Sequence, residues 1–277
     1  MSWQAVARKD FQDASRSYLL WGLTIGFIAL VSLAAAVLGY FSDNPTSTDI
    51  LGLLHMLFQY VGPLIAITIS FGAIVNERDS GSLKILLSLP HSRTDVILGK
   101  VLGRTSAFVV PLVLGMVVPA VALLAVGVEF EAIKYFGYLL LATLFGVAFV
   151  SVATGLSATF ESRFRVLLSV FGFYFLFNVL WRAINTASFA IVLFVGGQWP
   201  SWMPLTVQET LRVFQLLSPT GDFQILRESL MNDVLFASNV EQGLPDFRLQ
   251  LGAMAMLVVW IALPILVGIL RFEDADL

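Results

Sequence analysis

The chain has 277 residues, 58% hydrophobic and 13% charged, with a mean hydropathy of +0.86. Soluble domains are about half apolar and about a quarter charged, so this composition excludes a soluble globular fold and indicates an integral membrane protein. Cysteine is absent, which excludes disulfides, thiolate metal sites and a cysteine nucleophile, and two histidines argue against a histidine-rich metal centre. The net charge of −3 says little about partners, because the charge is unevenly spread along the chain.

Residues 1–17 set Trp3, Val6, Ala7 and Phe11 against Arg8, Lys9, Asp10, Asp13 and Arg16. The apolar positions recur at helical intervals, which suits a helix lying in the membrane interface with its charges in water. The apolar run that follows, 18–41, has 24 residues and exceeds the core of a signal peptide, roughly 7–15. Runs near or above the roughly 20 residues that cross a bilayer occur at 18–41, 51–75, 104–126, 135–159, 166–195 and 249–270, which predicts an all-α protein with six spans. Six spans put both termini on one side. Eleven of the sixteen Lys and Arg fall in one set of connecting segments and four in the other, with Arg182 inside a span. That bias assigns both termini to the cytoplasmic side of the cell membrane.

The outer connections are unequal. Segments 42–50 and 127–134 are short turns, whereas 196–250 is long and too apolar to be disordered. It opens with Gly196-Gly197 and includes Pro200, Trp202 and Pro204. Segments 206–217 and 221–236 then read as two amphipathic helices separated by Ser218-Pro219-Thr220-Gly221. On the fifth span Asn178, Arg182 and Asn185 lie at i, i+4 and i+7 and share one helical face. Two readings stay open for it. The face lines a polar pathway or bonds to another span; or Arg182, roughly 24 Å into a core about 30 Å thick, snorkels to the headgroups. Gly22-x-x-x-Gly26 and Ser151-x-x-x-Gly155 permit close helix packing. His55, near the outer end of the second span, reads as an interface residue.

The most informative stretch is 76–104, NERDSGSLKILLSLPHSRTDVILGKVLGR, a polar insert between two apolar runs. It carries Arg78, Lys84, Arg93, Lys100 and Arg104 among Glu77, Asp79 and Asp95, which places it at the inner membrane surface. Leu83, Leu86 and Leu87 have the spacing of one helical face, so a short amphipathic helix is predicted here. Pro90 stops it, and Ser92-Arg93-Thr94-Asp95 fits a capping box that starts a second helix leading into the next span. The order Glu77, Gly81, Ser82-Leu83, Leu86-Leu87, Ser88, Pro90, Ser92-Arg93 and Gly99-Lys100 resembles the loop after the second transmembrane helix of type-2 ABC transporter permeases. The specific motif is confined to this stretch; the topology extends the resemblance over the chain.

That resemblance implies one transmembrane domain over 1–277, with an interfacial helix at 1–17, a coupling segment at 76–104 and an extracytoplasmic cap at 196–250. In the family the loop carries a coupling helix that docks into a groove of a separate ATP-binding subunit. Leu83, Leu86, Leu87 and Pro90 would form that contact, and Glu77, Gly81, Arg93 and Lys100 would orient it. Two permease subunits, as a homodimer or an unlike pair, would sit among membrane lipids with two ATP-binding subunits; no nucleic-acid partner is expected. The chain itself is expected to hold no cofactor and no metal, with ATP and Mg²⁺ on the partner. Its own sequence agrees: there is no G-x-x-x-x-G-K-[ST], no H-E-x-x-H and no nucleophile beside a recognisable base. The implied function is that of an exporter's permease subunit. Two alternatives stand beside it: a permease of the same fold serving metallocentre maturation of the nitrous-oxide reductase type, and an ATPase-independent secondary carrier. Every acid falls outside the six spans, which argues against proton coupling in the latter.

Overall fold

The computed structural model describes residues 3–41, 44–83, 92–125, 127–194, 207–237 and 244–273. Its secondary structure among these residues is helical, and the one β feature is an isolated bridge between Thr46 and Glu129. Helix α1 is Trp3–Ser15, α2 Tyr18–Phe41, α3 Ser47–Ser70, α4 Val75–Asp79, α5 Arg93–Ala125 and α6 Ala132–Thr159. There follow α7 Arg163–Tyr174, a π-turn Phe175–Leu180, α8 Trp181–Phe194, α9 Val207–Gln215, α10 Pro219–Met231 and α11 Phe247–Glu273. Six helical stretches are long and apolar enough to cross a membrane: Leu20–Phe41, Ser47–Asp79, Arg93–Ala125, Ala132–Thr159, Arg163–Leu180 and Phe247–Glu273. The six predicted spans are therefore present, with the fifth interrupted by the π-turn.

The chain forms two units, Met1–Val170 with Trp260–Leu277, and Phe171–Val259. In the first, α1 and α2 pack on α5, α3 packs on α6, and α5 packs on α6. Its centre is aromatic: Phe58 faces Tyr138 and Phe145, Phe145 meets Phe149 edge to face at 5.2 Å, and the buried Tyr135 hydroxyl donates to the Met116 carbonyl at 3.0 Å. His55 belongs here. It is 7% exposed and stands edge-on to the Tyr138 ring, so it is a packed inter-helix residue and not the interface residue expected from its position near a span end. Outward-facing side chains such as Ile25, Leu33, Val121, Leu140 and Leu266 are exposed, which suits a bundle whose surroundings are as apolar as its core.

Of the two small-residue patterns, one forms a close contact among the described residues. A Cβ at Gly155 would lie 2.2 Å from the Pro264 carbonyl oxygen, and one at Gly268 3.0 Å from the Gly155 Cα, so α6 and α11 meet backbone to backbone there. Gly22 and Gly26 have open space around them.

The 42–50 connection also holds more structure than a turn. Thr46 and Asp49 form a reciprocal capping box at the start of α3. The Ser47 amide donates to the Glu129 carbonyl, the Ser47 hydroxyl accepts from the Glu131 amide, and Thr48 bonds the Glu131 carboxylate, joining this end of α3 to that of α6.

In the second unit the long connection carries two helices, as expected, with different bounds. Ser218-Pro219-Thr220-Gly221 does not separate them; it starts the second. Ser218 is the N-cap, accepting from the Gly221 amide at 3.0 Å, and Pro219 takes the first helical turn, where its missing N–H costs nothing. That helix ends at Met231 and not at 236, because Asp233 and Phe236 adopt left-handed φ values of 58° and 59°. Residues 195–206, with Gly196, Gly197, Pro200, Trp202 and Pro204, lie outside the described residues.

Candidate functional site

The segment singled out by sequence is built on two short-range devices at its flanks. On the amino side, α3 ends at Ser70 and the chain turns before α4. The Ser157 hydroxyl of α6 accepts from both the Ile74 and Val75 amides, at 3.1 Å each, satisfying two free donors at the start of α4. On the carboxy side, the Ser92 hydroxyl accepts from the Asp95 amide at 3.0 Å while the Asp95 carboxylate accepts from the Ser92 amide at 3.2 Å. This is the predicted capping box, and α5 begins at Arg93 as expected. Residues 84–91 lie outside the described residues, and with them the predicted amphipathic helix, Lys84, Leu86, Leu87, Ser88 and the Pro90 stop.

Between the flanks lies a buried ion cluster. Lys100 Nζ is 3.0 Å from Asp10 Oδ1 and 2.5 Å from Glu77 Oε1. Arg104 donates from Nη2 to Asp10 Oδ1 at 3.1 Å, approaches Asp10 Oδ2 with Nε at 3.0 Å, and donates from Nη1 to the Ile69 carbonyl at 2.9 Å. Two cations thus face two carboxylates from α1, α4 and α5. Asp10 and Lys100 are each 5% exposed, so these charges are held by one another and not by water.

The backbone makes room for this. A Cβ at Gly99 would lie 2.8 Å from the Trp3 carbonyl oxygen, and one at Gly103 would lie 2.7 Å from Asp10, so the two glycines let α1 lie directly on α5. The far half of α1 is less filled. A cavity of about 260 Å³, lined by Asp13, Ser17, Leu20, Thr68, Arg104 and others, opens beside Asp10. The seat of α1 is therefore electrostatic at Asp10 and closest to the α5 backbone at Gly99 and Gly103.

The structure distributes the sequence-derived residues unevenly. Glu77 and Lys100 come together as an ion pair that closes the segment on itself. Gly81 has φ +72°, the left-handed region that a side chain rarely adopts, and ends the turn after α4. Leu83 is 1% exposed in a cluster with Ala73, Ile74, Ile97, Val101, Ala158 and Phe272, so within this chain it anchors the segment and presents no surface. Arg93 Nη1 donates to the carbonyls of Phe272 at 2.7 Å and Glu273 at 2.8 Å. In the second unit, Asn178 sits in the π-turn, fully buried, and accepts from the Thr220 hydroxyl of α10 at 2.9 Å. Trp181 stacks on Phe214 of α9 at 4.7 Å and donates to its carbonyl. The side chains of Arg182 and Asn185 lie outside the described residues.

Sequence reasoning missed Asp10, Arg104, Ser157 and Phe272 as participants. For Asp10 a signal existed: it follows Val6 by four residues and Trp3 by seven, which puts a carboxylate on the helix face expected to be apolar. The expectation that the charges of α1 stand in water is corrected for this residue.

Six helices long and apolar enough to cross a membrane, among the described residues, define the class as a multi-pass membrane protein. The chain belongs to the ABC-2 family transporter proteins, whose profile matches residues 4–277. It is 29% identical over 235 residues to the "Probable ABC transporter permease protein NosY" of Stutzerimonas stutzeri, covering 81% of this chain and 80% of the relative. It is 28% identical over 275 residues to the protein of the same name from Pseudomonas aeruginosa, covering 95% and 92%. It is therefore a permease of the ABC-2 type.

Proposed function

We propose that this chain is the membrane subunit of an exporter, driven by ATP hydrolysed on a separate subunit that docks on segment 76–104 at the cytoplasmic face. The observation that carries the reading is the half-buried pairing of Glu77 with Lys100 and the buried pairing of Lys100 with Asp10. It ties both flanks of the segment to α1, so a push on residues 84–91 is delivered to α1, α4 and α5 together. In this reading Leu86, Leu87 and Pro90 meet the partner, while Glu77, Gly81, Arg93 and Lys100 hold the segment in position. Leu83 serves as the anchor beneath it, in place of the contact role that the family resemblance implies. Two permease chains, identical or paired, complete the assembly among membrane lipids, with Mg²⁺ and ATP on the partner subunits and both permease termini cytoplasmic. The α9–α10 hairpin caps the outer end of the pathway, and Asn178 supports that cap through Thr220.

A second reading, a permease of this fold serving metallocentre maturation, is favoured by the match, over at least 80% of each chain, to two relatives that share the permease name NosY. A deletion strain whose periplasmic reductase still acquires its metal centre would exclude it. Membership of the ABC-2 family argues against the ATPase-independent carrier. The proposal is tested by copurification in mild detergent with the ATP-binding subunit. Leu86→Asp is expected to abolish or strongly weaken that association without preventing membrane insertion. Unchanged association and unchanged ATPase activity would count against the docking assignment.

A further inference from the structure

We infer that the carboxy-terminal end of the last membrane helix is a fixed part of the coupling segment, with Phe272, Arg78 and Arg93 as its positioning residues. The inference rests on the proposed docking of an ATP-binding subunit at 76–104 and extends it to a part of the chain about 180 residues away in sequence.

Three contacts carry it. Arg93 donates from one nitrogen to the carbonyls of Phe272 and Glu273, at 2.7 and 2.8 Å. These belong to the last turn of α11, where carbonyls have no partner in the helix and a cation is favoured by the helix dipole. The Phe272 ring is fully buried and faces two guanidiniums, Arg78 at 5.9 Å and Arg93 at 5.8 Å from its centroid. Thr94 donates its hydroxyl to the Glu273 carboxylate at 2.9 Å.

The placement of these residues gives the contacts their meaning. Arg78 and Leu83 precede residues 84–91, and Arg93 and Thr94 follow them. Both flanks of the segment therefore close on one aromatic ring, and Leu83 shares a buried cluster with it. Arg78 also donates to the Phe160 carbonyl at the end of α6 at 3.2 Å, so the clamp includes a third helix end. Farther along, α11 rests on Gly155 through Pro264 and Gly268, a contact with no side chain to yield. A displacement of the flanks thus carries the end of α11 with it or breaks a buried set of contacts.

The chain has no native cysteine, so a link formed within it comes from the introduced pair. Thr94→Cys with Glu273→Cys, in the full complex with its ATP-binding subunit in native membranes, is treated with a short bifunctional thiosulfonate reagent. The expected result is equal cross-linking without nucleotide and after vanadate trapping, with the ATPase rate of the linked complex within two-fold of the unlinked one. Phe272→Leu, which keeps an apolar side chain of somewhat smaller volume and removes the ring, is expected to make the cross-linking yield depend on nucleotide state. Cross-linking confined to one state, or hydrolysis stopped by the link, would overturn the inference, because the helix end would then separate from the segment in each cycle. A chain that cross-links alone but binds no ATP-binding subunit would overturn the coupling role together with the reading beneath it, and would leave the clamp as a fold contact.

Discussion

Replacing Lys100 with methionine keeps the stem of the side chain on α5 and removes the ammonium that faces two carboxylates. Asp10 has a side chain only 4% exposed, so it retains Arg104 at 3.0 Å but loses Lys100, its other cation at the same distance. Breaking a buried pair from one side costs about 3–5 kcal/mol when nothing else compensates; the remaining Arg104 contacts put the effect at the lower end of that range. Glu77 is 24% exposed on its side chain and partly solvated, so its share is discounted to about 1 kcal/mol or less. A total of about 3 kcal/mol translates into a fall in melting temperature of roughly 6–12 °C for a unit of this size. The assay is thermal unfolding of the purified chain in one detergent, with Lys9→Met as the control. Lys9 lies on the exposed face of α1, where a substitution is expected to change stability by about 0.5 kcal/mol or less. Equal melting of Lys100→Met and Lys9→Met would refute the reasoning, since it would mean the cluster contributes no more than a solvated charge. The double variant Asp10→Asn, Lys100→Met should cost less than the sum of its parts, because each removes the other's stranded charge.

Gly155→Leu should destabilise by at least about 1–3 kcal/mol, since even its Cβ would meet the Pro264 carbonyl at 2.2 Å, and thermal unfolding beside Gly22→Leu, which has open space, isolates the effect. Thr220→Val removes the hydroxyl that bonds the buried Asn178 and should cost about 1–3 kcal/mol; a fall in melting temperature no larger than for the exposed Val213→Thr would contradict it. Ser92→Ala removes the acceptor for the Asp95 amide and should cost about 0.5–2 kcal/mol, read as increased hydrogen exchange at the start of α5.

The sequence made the membrane architecture legible because length and hydropathy settle it: α2 has the predicted bounds, and the second, fourth and sixth spans differ by at most four residues at their ends. The third helix starts at Arg93 and not at 104, because its capping box lies outside the apolar run, and the fifth membrane-length stretch ends at Leu180 and not at 195. Capping chemistry was legible at Ser92 to Asp95 because both partners lie within one turn. The same chemistry at Thr46 to Asp49 escaped notice in a segment read as a short turn, and Ser218-Pro219 was taken for a break when it is a helix start. The π-turn at 175–180 leaves no mark in hydrophobic periodicity, so the fifth span reads as one helix. In the candidate site, Glu77 and Lys100 were legible as motif residues but not as a pair, because nothing in one sequence reports contacts across 23 residues. Phe272 was invisible for the same reason. An aromatic residue at the end of a membrane helix looks like any interfacial anchor until Arg78 and Arg93 are seen against its ring.

The account's central claim is that segment 76–104 meets an ATP-binding subunit, and a single introduced cysteine tests it most directly. Leu86→Cys in native membranes, carrying a short photoactivatable thiol reagent, is predicted to cross-link to the ATP-binding subunit. Ile133→Cys, at the exposed start of α6, is predicted to give no such adduct. An adduct at position 133 comparable to that at 86, or none at 86 in a complex that hydrolyses ATP, would contradict the claim.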